Sequence, residues 1–371
     1  MARKYGKKNI IKIDPLAYNL ALIGESGVGK TTLAKEVCEK LVGEDGYLIC
    51  NLGMEDGVSA IAGAIYEDVP EWDVFEEMVE DIIENKTTDY KSLKVLVLDT
   101  IDELFRIVEP EVIRLHNKEN PDKKVKSIKQ AFGGYMRGED KAIELFLEKV
   151  AELKRVGVNV FIIGHTKRRT MTDPITGLEY DMITTNMSNR YFNAVKTKLH
   201  VLGVASIDRE ITREKTGKQV MVGKSKKDEI IGRIQSEARK ITFRDDNFTI
   251  DSKSRFASIT DSIEFNSEEF INAIEEAIKL EHEKQSSKKS IEETKKEQEK
   301  EQDKKIKEEV TKLKDAKELD NINIKIKNFV ASNKKDVDKL TPLLTKTKEL
   351  GLATPIDVTD INIARELVKV I

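Results

Sequence analysis

Cysteine is nearly absent: the 371 residues include only Cys38 and Cys50. The two form no metal-spaced set and no disulfide framework for a chain of this length, which fits a reducing compartment and a cytoplasmic protein. Long apolar runs are missing too. The longest, such as 95–98, are strand-sized, far short of the roughly 20 residues that a membrane-spanning helix needs, so no membrane partner is expected. The basic first segment, MARKYGKKNIIKID, lacks the apolar core of a secretory signal. Net charge is also almost absent, at −3, although Lys plus Arg number 64 and Asp plus Glu 67. Such near-cancellation excludes a uniformly basic nucleic-acid coat and a strongly acidic solvating protein. Any nucleic-acid surface must be local.

The charge is segregated along the chain. Residues 284–309 contain 17 charged side chains and two aliphatics, Ile291 and Ile306, and have no face to bury. Before them, Phe270, Ile271, Ile274, Ala277 and Ile278 recur at helical spacing, as for a helix packing on the preceding domain. After them, Ile322, Ile326, Phe329, Leu343, Ile363 and Leu367 mark a small module of about three helices. The expected division is a basic arm over 1–15, an α/β domain over 16–265, a charged helical linker over 266–310, and a small all-α module over 311–371. Within the large domain, strand-like runs at 19–23, 47–50, 94–98 and 159–163 alternate with helical patterns. That alternation implies βαβ units and a mainly parallel sheet with helices on both faces. From about 198 to 256 the texture suggests short antiparallel strands added to one sheet edge.

Gly24-Glu25-Ser26-Gly27-Val28-Gly29-Lys30-Thr31 is a full GxxxxGK[ST] match between a strand and a helix, the context this phosphate-binding loop requires. Its backbone, with Thr32 at the helix start, is suited to cradle the phosphates of ATP. Lys30 would reach the β- and γ-phosphates and the Thr31 hydroxyl would ligate Mg²⁺. Asp99 ends the buried run 95–98 and is the expected acidic partner of the metal. Hydrolysis also requires a carboxylate that orients water. Glu55 is the first candidate, with Glu103 and Asp102 as alternatives. His165 follows Gly164 at the end of the strand-like run 159–163, where a polar side chain would sense the γ-phosphate.

Together these features resemble the RecA-like P-loop ATPase core. Over about 10–265 the particular form resembles the RecA-like nucleotide-binding proteins of bacteriophages, some of which are single-strand annealing recombination proteins. The likeness rests on IDPLAYNLALIGESGVGKTTLAK, the Glu55-Asp56-Gly57 turn, GGYMRGEDKAIELFLEKVAELKRVGVNVFIIGH, and DSKSRF at 251–256. It implies that Lys253 and Arg255 reach across a subunit boundary to a neighbour's γ-phosphate, and hence a homo-oligomeric ring or filament. It also implies single-stranded DNA held by the irregular, basic segment 166–190, with Lys167, Arg168, Arg169 and Arg190 as contacts. The basic arm (Arg3, Lys4, Lys7, Lys8) is a weaker candidate. The expected function is Mg²⁺-dependent ATP hydrolysis on single-stranded DNA in recombination, annealing or replication. The alternatives are a nucleotide-dependent scaffold or loader, whose C-terminal module recruits a single-strand-binding or replication protein, and a P-loop small-molecule kinase. Two departures from recombinase RecA stand out. Only about 23 residues precede the P-loop, and the 107–138 insertion is long.

Overall fold

The computed structural model describes residues 9–54, 57–222, 225–245, 249–284, 290–334 and 336–371, with 211, 213–222 and 225–233 as backbone. They fall into two compact units, Met1–Val79 with Ser92–Lys300, and Glu80–Lys91 with Glu301–Ile371.

The first unit is built on one mixed sheet. Its parallel centre comprises β1 (Leu20–Gly24), β2 (Tyr47–Leu52), β3 (Tyr66–Val69), β4 (Val95–Asp99) and β5 (Asn159–Thr172). Then come β6 (Glu179–Thr185), β7 (Val201–Val222), β8 (Ser225–Thr242), β9 (Lys253–Ser254) and β10 (Ser262–Glu264). The main path of the sheet runs β10-β8-β7-β1-β5-β4-β2-β3, with β6 paired to β5 and β9 to β7. All five residues of β1 and of β4 are buried. That explains their unbroken apolar sequence, because a parallel strand covered on both faces has no solvent side.

One face packs on α1 (Lys30–Val42) and α6 (Ser267–Lys284). Leu20, Leu22, Val95, Val97, Phe161 and Ile163 of the sheet join Leu33, Val37 and Cys38 of α1 and Phe270, Ile274 and Ile278 of α6 in one core. Residues of opposite parity, Ala21, Ile23, Leu96, Leu98, Val160 and Ile162, are equally buried. The helices with apolar stripes that complete the unit are α3 (Ile101–Glu119) and α4 (Arg137–Arg155), with Leu104, Phe105, Val108, Phe146 and Leu153 buried. A helix α2 (Trp72–Glu84) and a short α5 (Asn189–Lys198) lie between strands in the chain.

The structure differs from the sequence reading in three places. Segment 166–190 is not irregular: the outer half of β5 and β6 form a hairpin, in register from Thr166↔Thr185 to Thr172↔Glu179. Asp173 closes its turn, its Oδ1 accepting from the amides of Ile175 at 3.0 Å and Thr176 at 2.6 Å. The late antiparallel strands β7 and β8 are long rather than short. Finally, the first unit runs on to Lys300 rather than giving way to a linker at 266, because α6 carries its apolar stripe into the core. Gln298 likewise bonds that unit, donating to Ile11 O at 2.7 Å and accepting from Ile13 N at 3.0 Å.

The second unit contains the later part of α7 (Ile291–Ser332), α8 (Val337–Glu349) and α9 (Ile361–Val368). Ile322, Ile326, Leu343, Val358, Ala364 and Leu367 form its core. Asp336 and Asp360 cap α8 and α9, and Asn323 exchanges hydrogen bonds with the backbone of Val358 at 2.9 and 3.0 Å.

Candidate nucleotide site and its surroundings

The phosphate-binding loop joins β1 to α1 at the carboxyl edge of the sheet. Gly29 is the N-cap of α1 at φ 101°, a left-handed conformation that a side chain would strain. Gly24 is required for a different reason. A Cβ there would lie 2.8 Å from both Cβ and O of Ala205, its register partner on β7. Glu25, Ser26 and Gly27 are exposed, as is Thr32, while Val28 is buried.

Lys30 is 6% exposed, and its ammonium folds over the loop, donating to the carbonyls of Gly24 at 3.1 Å and Glu25 at 2.9 Å. Thr31 Oγ1 donates to Oδ2 of Asp99 at 2.7 Å, and Asp99 is 4% exposed. Burying a charge is costly unless it is paired or hydrogen-bonded, so the concentration of ammonium, hydroxyl and carboxylate here is a specific arrangement. No acidic residue occupies the first turn of α1, leaving that N-terminus favourable to anions. This donor set fits a magnesium-nucleoside triphosphate: Lys30 and the loop backbone for phosphate, Thr31 and Asp99 for the cation. Among the described residues no group of three or more His, Cys, Asp and Glu gathers into a denser metal site.

Strand β5 lies between β1 and β4 and brings His165 level with Gly24. Asp102, in the first turn of α3, fixes this histidine twice. Its Oδ2 accepts from the His165 amide at 2.8 Å and lies 3.2 Å from Nδ1. The other oxygen, Oδ1, is buried without a hydrogen-bond partner among the described residues. Asp102 therefore orients His165 rather than standing free to activate water. Glu103 lies against Gly53 and pairs with Arg106 at 2.7 Å. Glu55, the first-choice carboxylate, falls outside the described residues, as does the basic arm Arg3, Lys4, Lys7 and Lys8.

The remaining cations have partners inside the chain. Arg168, on the β5–β6 hairpin, forms an ion pair with Asp181, which raises the guanidinium pKa and lowers that of the carboxyl. Arg169 donates to the carbonyls of Thr185 and Met187 and to the Asn189 side chain. Arg190 pairs with Asp140. Lys167 differs: it is exposed, and its side chain has no hydrogen bond or ion pair among the described residues.

Lys253 and Arg255 lie toward the amino end of β1 and β7, the opposite end from the P-loop. Lys253 is in register with Leu202, near the amino end of β7. Its ammonium donates to Lys196 O, while Arg255 donates to Thr197 O at 2.6 Å and Leu199 O at 3.2 Å. Both thus cap the last carbonyls of α5. Burial, followed by the neighbouring Arg255 and Lys196, lowers the Lys253 pKa.

Two features escaped sequence reasoning. Arg239 donates to Val28 O at 3.3 Å, and the ring of Phe265 lies against Gly29. Both come from more than 200 residues downstream, so no local signal marks them. Second, five consecutive residues have positive φ: Phe132 (54°), Gly133 (92°), Gly134 (76°), Tyr135 (49°) and Met136 (65°). Three are not glycine, and Tyr135 is 96% exposed. Backbone strain of this kind clusters at functional sites. The pair Gly133-Gly134 was the available signal.

A family model described as an AAA domain (AAA_24) matches residues 16–236, more than half of the chain. The chain belongs to this family of AAA-type P-loop ATPases. The matched span includes the P-loop, Asp99, His165 and the hairpin cations, and ends before Lys253. No curated protein matches the chain. Among the described residues no helix is long and apolar enough to cross a membrane.

Proposed function

We propose that this protein hydrolyses ATP with Mg²⁺ while engaged on single-stranded DNA, in phage-type recombination, annealing or replication, as a cytoplasmic homo-oligomer. The observation that carries the DNA part is the course of β5. One strand ends its buried half at His165, beside the P-loop, and continues directly into the hairpin bearing Lys167, Arg168 and Arg169. A displacement of that hairpin by a phosphate backbone is therefore transmitted along the strand to the histidine.

Bound Mg-ATP supplies the phosphoanhydride and a cation that offsets charge between its phosphates. Lys30 exchanges the carbonyls of Gly24 and Glu25 for phosphate oxygens, and Thr31 and Asp99 hold the cation's ligand sphere. His165, oriented by Asp102, hydrogen-bonds the terminal phosphate and reports its loss to the hairpin. Glu55 positions water, with Glu103 as the alternative. The exposed Tyr135 offers a stacking face for a base. In an oligomer, Lys253 and Arg255 leave the α5 carbonyls to contact the neighbour's terminal phosphate. Both side chains point to one side of β9 and its continuation, as residues two apart on a strand do. A recruiting role for the C-terminal module, toward a single-strand-binding or replication protein, is compatible with this reading. The test is ATP turnover by the full-length chain with and without single-stranded DNA. Turnover indifferent to DNA removes the DNA part, and phosphate transfer to a metabolite replaces it with a kinase.

A further inference from the structure

Strands β2 and β4 change character together at their carboxyl ends. On the face that packs against α1, β4 presents Val95 and Val97 and β2 presents Tyr47 and Ile49, all buried in the common core. Every second side chain of a strand shares a face, so the next residues on that face are Asp99 and Asn51. They stand in register with each other, and Asn51 is also level with Asp68 on β3. Three polar residues thus line up across β4, β2 and β3, beginning at the carboxylate that bonds Thr31.

Asn51 is only 7% exposed. Its Nδ2 donates to Oδ1 of Asp68 at 2.6 Å. Its own Oδ1 is buried without a hydrogen-bond partner among the described residues. Flipping the amide is no remedy, because its oxygen would then face the Asp68 carboxylate, acceptor against acceptor. The Asp68 bond therefore fixes the amide and turns Oδ1 away from β3, with Asp99 next in register on the other side. A buried acceptor left unpaired is destabilising, and in native structures such groups are satisfied by a protein group or by water. The Asp68 bond uses the amide nitrogen alone; the oxygen calls for a different donor. Between two neighbouring acceptors that donor has two hydrogens, and water is the smallest such group.

We propose that Asn51 is a positioning residue for the cation of the nucleotide site: its Oδ1 and the Asp99 carboxylate accept from one water of the cation's ligand sphere. The inference rests on the magnesium-nucleotide part of the reading under Proposed function. Thr31 and Asp99 supply one hydroxyl and one carboxylate, and Mg²⁺ usually keeps several of its waters. Those waters need acceptors, and outer-shell partners orient the ligands they touch. A polar residue at the end of β2 meets that need from a buried, fixed position.

The test loads the full-length chain, in excess, with a non-hydrolysable ATP analogue and titrates it with Mn²⁺ as the probe, free Mn²⁺ being followed by its EPR signal. Asn51→Leu should weaken Mn²⁺ binding by about 10–100-fold while leaving metal-free binding of the analogue unchanged. Asp68→Ala breaks the same Asn51–Asp68 bond but keeps Oδ1. It should change Mn²⁺ affinity by no more than about 3-fold, since water replaces the exposed carboxylate. Asn51→Asp retains the shape and an acceptor toward Asp99, and should bind Mn²⁺ at least as tightly as the wild type. Unchanged affinity in Asn51→Leu overturns the proposal, and so does an equal loss in Asn51→Leu and Asp68→Ala, which would make the amide a strand-pairing group only. If Asn51→Leu does not fold, weakened binding in Asn51→Asp overturns it instead. All these outcomes leave the nucleotide reading intact, whereas a wild-type chain that binds neither analogue nor Mn²⁺ removes both.

Discussion

The P-loop and the basic clusters of this protein occupy the same fold, yet they teach opposite lessons about charge. At the P-loop, Lys30 is buried and donates to its own loop's carbonyls, an arrangement that a phosphate can replace. Elsewhere, Arg168 and Arg169 are held by partners on or just after the paired hairpin strand, and Arg190, Lys253 and Arg255 by carboxylates or carbonyls from other elements. A cation's residue type says little about its availability; its partners decide whether it serves a ligand or the fold.

The sharpest way to break the comparison is at the loop itself. Lys30→Ala should lower ATP hydrolysis by about 10²–10³-fold or more with little change in melting temperature; retained turnover would remove the loop from the mechanism. Arg255 is next, since it has both a structural partner and a proposed role in trans. Arg255→Ala should reduce turnover on the order of 10³-fold, the lower end of the range for a trans arginine. Mixing it with Lys30→Ala subunits should restore part of the activity, because each variant supplies what the other lacks. If turnover is unaffected and only stability drops, Arg255 is a helix cap and nothing more.

Within the hairpin, neighbouring residues should separate cleanly. Arg169→Ala removes hydrogen bonds to Thr185 and Met187 and should cost about 1–2 kcal/mol of stability, measured by chemical denaturation. Lys167→Ala should leave stability within about 0.5 kcal/mol and instead make the salt dependence of single-strand binding shallower by about 0.7. The reverse pattern would mean that internal partners do not predict which cation is free.

The smallest expected effect is on pH dependence. Burial, with Lys154 and Arg255 nearby, lowers the His200 pKa from 6.5 to about 4, and its Nδ1 accepts from the Asn19 amide at 3.1 Å. The folded chain thus resists protonation that the unfolded chain accepts. The stabilisation is complete above about pH 6.5 and is lost as pH falls toward 4. A His200→Gln variant should flatten the decline of melting temperature across that window, whereas an identical decline would assign it to other groups.

Legibility followed the same divide. Gly24, Gly29, Lys30, Thr31 and Asp99 were readable because backbone conformation and strand–helix order fix them within a short span. The buried strands were readable because a parallel sheet covered on both faces leaves continuous apolar runs. The β5–β6 hairpin was misread as irregular, since Pro174 and Gly177 at its turn masked the pairing of polar, alternating strands on either side. Arg239 and Phe265 reach the loop through long-range packing, which no local pattern encodes, whereas the α6 stripe was readable from its helical spacing. The Asp102–His165 pair was half visible: both residues were candidates, but their contact depends on α3 starting beside the end of β5.

The central claim, that the nucleotide site and a DNA surface work through one strand, is tested most directly by steady-state ATP hydrolysis of the full-length protein across a titration of single-stranded DNA, with Lys30→Ala as the control. The account predicts turnover that rises several-fold with DNA and disappears in the variant. Turnover that is present but flat across the titration, or that survives in Lys30→Ala, would contradict it.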